Sequence, residues 1–312
     1  MREQETCGCN GRSRNEEFDA QLAYRALSKK IADVADSVAL LAQSTQGRGE
    51  RGDEAARALR QLQRIVGGTR VKEGKFPECC LIGRRDIGGT RWFCTGVLVH
   101  PRIVLTAAHC HRTPAARSKV VVALNAINMN ALGNAELRAA RRTVIHPLWN
   151  DFANDIAVIV LQEAAHTPPV PIATTSELSA ASPSVTKLVG FGNDDVFSTV
   201  GFGIKREVTV PITHLRRSQH DDFDDAEMEF GFESDLEFTA GGGGFDSCNG
   251  DSGGPAYIVV GGDNGGRKVA GLTSRPFREF SNPCGEGGIY TRIDANMDFV
   301  QRVAAADGVD LD

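Results

Sequence analysis

The sequence predicts an all-β protein, a sandwich or barrel of short strands, and three observations predict it. Short alternating or apolar runs recur from residue 65 onward: Lys119–Ala123, Ile156–Leu161, Lys187–Phe191, Glu207–Ile212, Ala256–Val260 and Val269–Thr273. Gly, Pro and Asn separate these runs, and 34 of the 312 residues are glycine, which suits many strands joined by turns. The apolar share, 41%, is enough to fill one large domain, or a two-lobed one with an appendage.

The appendage comes first, in residues 1–64. Ala20, Tyr24, Leu27, Ile31, Val34, Val38 and Leu41 are spaced alternately four and three apart, which predicts a helix with a narrow apolar seam over about three heptads. A polar, glycine-containing linker follows from Ser44 to Asp53, and Glu54–Gln63 has the pattern of a second short helix. Two readings stay open for helix 20–41: an amphipathic helix docked on the body, or a coiled coil or partner-binding helix. Residues 1–17 are polar, and Asp33 and Asp36 interrupt the apolar stretch Ile31–Leu41, so no secretory leader is expected. No apolar stretch is long enough to span a bilayer. The net charge of −5 argues against nucleic acid as the main partner.

The run most informative about chemistry is Asp246-Ser247-Cys248-Asn249-Gly250-Asp251-Ser252-Gly253-Gly254-Pro255. It sets Ser252 in a tight glycine-rich bend. A serine hydroxyl is a poor nucleophile near neutral pH and needs a neighbouring base and donors for the developing oxyanion. The bend can supply the donors, because glycine geometry lets the Gly250 and Ser252 amides point at one spot. A base is offered by His109, in Thr106-Ala107-Ala108-His109-Cys110 after an apolar run. An orienting acid is offered by Asp155, which leads into the run 156–161. An imidazole titrates near the working range and can take and return a proton.

The chain order His109, Asp155, Ser252 distinguishes one arrangement of this triad from the orders used elsewhere. On these motifs the stretch from Ile65 to about Gln301 resembles the chymotrypsin-fold serine proteases of the trypsin type. The resemblance implies two six-stranded antiparallel β-barrels with a cleft between them, the first carrying His109 and Asp155 and the second Ser252. It also implies a C-terminal helix over about Asp294–Ala305 and a division into a helical segment, 1–64, and a protease domain, 65–312.

The resemblance implies further roles. Asp246 would be the floor of the primary pocket, selecting Arg or Lys by a charge-assisted bond, with Ser247 helping to seat a Lys ammonium and Gly288 keeping the pocket open. Ser274 would hydrogen-bond the buried acid of the triad. Cys94–Cys110 and Cys248–Cys284 would be disulfides, which suggest a secreted or periplasmic setting; the missing leader points instead to the cytoplasm. At Arg64-Ile65-Val66-Gly67-Gly68, cleavage before Ile65 would free an amine that turns inward to pair with Asp251, so the chain would be a zymogen. The Arg64–Ile65 bond would itself suit this enzyme. Substrates are expected to be proteins or peptides with Arg or Lys at the cleaved bond; no cofactor is expected, and no metal, since residues 124–136 are mostly Asn and Ala.

Other features have no family counterpart. Cys79 and Cys80 are adjacent, and on a strand they point to opposite faces, so two separate thiols are expected rather than a bridge. Cys7 and Cys9 with these two lack a histidine at zinc-finger spacing. Where the family usually has Trp-Gly after Ser274, this chain has Arg275-Pro276. Pro276 offers no N–H for substrate pairing, and Arg275 is expected to favour acidic residues in the substrate. The acidic block 221–237, with Phe223, Phe230, Phe232 and Phe238 interleaved or adjoining, reads as a solvated loop with an edge strand, its carboxylates lacking EF-hand spacing. Two alternatives to an ordinary zymogen are a protease controlled by a partner of helix 20–41, and a catalytically silent protease-like binding protein.

Overall fold

A computed structural model describes residues 68–180, 185–195, 197–215, 232–260, 266–277 and 284–311. The predicted helices of residues 1–64, Cys7, Cys9, Arg64, Ile65 and most of the acidic block lie outside them.

Thirteen strands form the described body. The first barrel contains β2 (Cys79–Asp86), β3 (Gly89–His100), β4 (Ile103–Thr106), β5 (Val120–Leu124), β6 (Glu136–Ile145) and β7 (Ala157–Leu161). Its order is β2-β3-β4-β7-β6-β5, and β5 closes it against β2 with Leu81 opposite Ala123. The second contains β8 (Val185–Gly190), β9 (Arg206–His214), β10 (Glu237–Ala240), β11 (Pro255–Val260), β12 (Gly266–Pro276) and β13 (Gly288–Arg292). Its order is β9-β10-β13-β12-β11-β8; pairing of β8 with β9 closes it, and the short β1 (Thr69–Arg70) lies along β9 as an extra edge. All the pairings are antiparallel, so both six-stranded barrels are present as the resemblance implied.

The apolar pattern explains the placement of strands. All five residues of β5 and of β7 are buried, as a strand covered on both faces requires, whereas β6 begins by alternating half-buried and exposed positions. Cys79 and Cys80 are both buried free thiols on opposite faces of β2: Cys79 joins the core around Phe76 and Tyr257, and Cys80 the core around Ile82 and Leu98. Burial pushes the Cys79 thiol up to about 12, which leaves it without nucleophilic character.

Polar contacts join the barrels as well. The Tyr257 hydroxyl and the Arg267 guanidinium each donate to Glu78 Oε1 at 2.8 Å, while Lys205 Nζ donates to the Phe76 carbonyl at 2.8 Å. The C-terminal helix α3 (Met297–Ala305), which follows the short helices α1 (Pro114–Arg117) and α2 (Thr175–Ala180), buries Phe299, Val300, Val303 and Ala304. Phe299 meets His146 edge-on at 4.6 Å, and Arg142 on β6 donates to the Val303 carbonyl, so the end of the chain packs on the first barrel.

Candidate active site

The first barrel supplies an acid and an imidazole in direct contact. Strand β4 ends at Thr106, and a single turn of 3-10 helix, Ala108–His111, carries His109. The Cys94–Cys110 disulfide ties this turn to β3. Asp155 stands just before β7 and is 2% exposed. Its Oδ1 accepts the His109 amide at 2.9 Å, and its Oδ2 meets His109 Nδ1 at 2.7 Å. Ser274 on β12 donates to Oδ2 at 2.6 Å, and Thr291 on β13 donates to the Asp155 carbonyl at 3.3 Å. Burial alone would raise this carboxyl, but the hydrogen bonds from His109 and Ser274 and the histidine charge outweigh it, and it is held below its ordinary value. The acid is therefore an ionised acceptor that fixes the ring with Nδ1 toward itself and leaves Nε2 for chemistry.

The second barrel supplies the serine bend. Ser252 lies in the turn before β11, and its carbonyl accepts the Thr95 amide of β3 at 3.0 Å. Thr95 Oγ1 also donates to the Gly250 carbonyl at 2.8 Å. The bend is thus pinned to the barrel that carries His109, and the Ser252 carbonyl lies 3.9 Å from Cys110 Sγ beside that histidine. Ser252 makes no side-chain hydrogen bond to His109 among the described residues. Gly250 has φ +99°, and a Cβ there would sit 2.5 Å from the Phe202 ring, so only glycine fits. The amides of Gly250 and Ser252 donate to no described backbone acceptor, which leaves both available.

Asp246 is 3% exposed. It accepts the Ser247 amide at 2.6 Å, the Ser247 hydroxyl at 3.3 Å, the Tyr290 hydroxyl at 3.1 Å and the Gly287 amide at 3.1 Å. All these partners are neutral. Burial dominates, and the carboxyl is pushed up to about 7. A Cβ on Gly288 would lie 3.1 Å from Asp246 Oδ1 and 3.2 Å from the Tyr290 hydroxyl, so only a residue without a side chain packs against this carboxyl without a shift. The Cys248–Cys284 disulfide ties the serine bend to the chain entering β13. Asp251 is also buried, with Gly192 donating to Oδ1 at 2.7 Å and Cys248 to Oδ2 at 2.9 Å; burial raises it to about 6.

The expected reach of Arg275 toward substrate acids is corrected. Its two terminal nitrogens donate to Glu237 Oε1 at 2.6 Å and Oε2 at 2.9 Å, and one also donates to the Phe152 carbonyl at 3.0 Å. The Glu237 side chain is fully buried, so its charge takes up that of Arg275. The acidic block is corrected at its C-terminal end for the same reason: Glu237 is the buried first residue of β10, a strand flanked by β9 and β13, and Phe238 stacks on Tyr290 at 5.3 Å. Pro276 pairs with Gly288 across β12 and β13. Sequence reasoning did not pick out Thr95, Tyr290, Thr291 or Glu237. A lone Thr or Tyr within a strand has no local signature, and Glu237 was hidden among other acids.

Among the described residues, the one cluster of metal-type donors is Cys94, Cys110 and His109, with atoms within 4.8 Å of one another. The two sulfurs are bonded to each other, so the set does not fit a metal ion. No described helix is long and apolar enough to cross a membrane.

The family model for trypsin matches residues 65–300. Serine protease SP24D of Anopheles gambiae is 30% identical over 214 residues, covering 66% of this chain and 72% of that protein. Complement C1s subcomponent of Sus scrofa is 30% identical over 262 residues, covering 77% of this chain but 35% of that longer protein. A trypsin-like protease of Streptomyces glaucescens is 26% identical over 292 residues, covering 90% of this chain and 94% of that protein.

Proposed function

The chain belongs to the trypsin family of serine proteases, and we propose that it is an active endopeptidase that cleaves peptide bonds after Arg or Lys. The observation that carries the reading is a pair of buried aspartates in opposite electrostatic settings: Asp155 ionised against His109, and Asp246 among neutral donors beside Gly288.

Ser252 Oγ attacks the scissile carbonyl carbon while His109 Nε2 takes the hydroxyl proton. Asp155 holds Nδ1 and stabilises the imidazolium. The carbonyl oxygen becomes an oxyanion facing the Gly250 and Ser252 amides. As the tetrahedral adduct collapses, the C–N bond breaks, His109 returns its proton to the departing amine, and an ester to Ser252 remains. Water then attacks the ester, His109 takes its proton, and the new acid leaves with Ser252 restored. Asp246, with Ser247 beside it, receives a cationic side chain; an entering ammonium or guanidinium draws the buried carboxyl into its ionised form. Ser274 steadies Asp155 from the second barrel. Pro276 supplies no N–H, so the substrate strand forms one hydrogen bond fewer on this side.

Residues 1–64 are the N-terminal segment and residues 65–312 the protease domain of this reading, and activation proceeds by cleavage at Arg64–Ile65, whose freed amine pairs with Asp251. The raised Asp251 carboxyl supports this, because a cation beside it would relieve the cost of burying its charge. Peptide-library profiling of the Ile65-started protein tests the reading. Cleavage after Arg and Lys is expected; preference for any other residue there overturns the Asp246 assignment. Absence of fluorophosphonate labelling at Ser252 after cleavage would favour a silent scaffold.

A further inference from the structure

Of the buried ion pairs among the described residues that the mechanism leaves without a task, Glu237–Arg275 adjoins the Asp155–His109 pair. Glu237 on β10 is fully buried, and the Arg275 side chain on β12 is 11% exposed. Their contact is bidentate, the geometry that best fixes a guanidinium plane. Arg275 makes one further bond and one close contact toward the acid. It donates to the carbonyl of Phe152, in the segment leading to Asp155, at 3.0 Å, and it lies 3.4 Å from Ser274 Oγ, which itself donates to Asp155. The guanidinium also lies over the Phe152 ring, 5.7 Å from its centre. One side chain thus links β10, β12 and the segment that presents Asp155.

We propose that Arg275, oriented by Glu237, is a positioning residue for the Asp155–His109 pair: it braces Phe152 and Ser274 around Asp155, and the two charges cancel beside it. The inference rests on the catalytic reading above. A lone carboxylate at 237 would add a second buried negative charge near Asp155, and a lone guanidinium would offset the charge that stabilises protonated His109. The pair gives rigidity without altering the net charge the imidazole feels. Other charged or titratable groups on elements around His109 are His111 on its own turn, the exposed Arg112–Asp151 pair, and Asp246 and Asp251 in the second barrel. All of them stay in place in the variants below.

The test is the pH profile of kcat/KM for the catalytically competent protein, whose acid limb reports the free-enzyme histidine. Active protein is counted by stoichiometric fluorophosphonate labelling, so misfolded molecules drop out. Glu237→Gln leaves Arg275 charged and unbalanced, and the acid limb is expected to move to lower pH by about half a pH unit or more. The double variant Glu237→Gln with Arg275→Gln is neutral again, so its limb returns to the wild-type position. Its kcat nonetheless stays about 10- to 100-fold low, with KM little changed, because the brace on Phe152 and Ser274 is gone. Arg275→Lys keeps the charge and the limb and recovers part of kcat. If Glu237→Gln and the double variant both match wild type in limb and kcat, the inference is overturned. His109→Ala and Ser252→Ala run alongside: full turnover in either would sink the catalytic reading itself, whereas loss of turnover in both with unchanged pair variants sinks only the inference.

Discussion

Asp155 and Asp246 are almost equally buried, at 2% and 3% exposure, yet their carboxyls move in opposite directions. The region around Asp155 brings an imidazole, the Ser274 hydroxyl and a backbone amide to one carboxylate. The region around Asp246 offers amides and hydroxyls only. Around Asp246 the dipoles offset desolvation only in part, so its carboxyl is pushed up to about 7 while that of Asp155 is held low. The lesson is that burial sets the stakes and the partner sets the sign. One acid is matched by an imidazole within the chain, and the other meets neutral donors alone, which is why we propose a substrate cation for it.

The contrast can be broken at its strongest point first. Asp155→Asn should lower kcat about 10⁴-fold, since an amide cannot hold the ring in the working tautomer; steady-state kinetics with a small amide substrate measure it. Asp246→Asn should leave the triad intact and lower kcat/KM for Arg and Lys substrates about 10²- to 10³-fold, with little effect on a substrate bearing an apolar side chain there. Equal losses on both substrates would mean that Asp246 serves the fold and not recognition. Gly288→Ala places a methyl 3.1 Å from Asp246 Oδ1. It should raise KM for Arg substrates about 10-fold, and a shift toward smaller side chains would sharpen the role proposed for Gly288.

The pH responses are smaller, and the raised carboxyls shift the range of one and set the sign of the other. Asp246 must be ionised to hold a cation, and its carboxyl titrates near 7, so KM for Lys substrates should fall as pH rises from 6 to 8. Asp246→Asn should remove that slope. Stability runs the other way. The folded chain holds protons on Asp246 and Asp251 that the unfolded chain has lost above about pH 4. These two groups therefore contribute stability that is present at low pH and lost as pH rises through about 6 and 7. Melting of an uncleaved Ser252→Ala chain should show it, and Asp251→Asn should shrink the loss between pH 5 and 7.

Much of the fold and part of the candidate site were legible in local sequence. The run Ile156–Leu161 reads as a covered strand because every residue is apolar. Cys79 and Cys80 read as two separate thiols because neighbours on a strand face opposite sides. The Gly250-Asp251-Ser252-Gly253 bend reads as a turn that presents a serine. Arg275 was misread because its partner, Glu237, lies 38 residues away among acids that look solvated. Tyr290, which donates to Asp246 from 44 residues away, carries no local mark at all.

By itself the sequence determined the strands, the turns and the candidate motifs around His109, Asp155 and Ser252, because these depend on residues within a few positions of one another. Only the tertiary structure decided which of those charges are completed. Asp155 received Ser274 from 119 residues away, and Arg275 received Glu237. Asp246 received only dipoles. In a buried site the partner controls the charge, and partners are chosen by barrel closure and packing, not by neighbours in the chain.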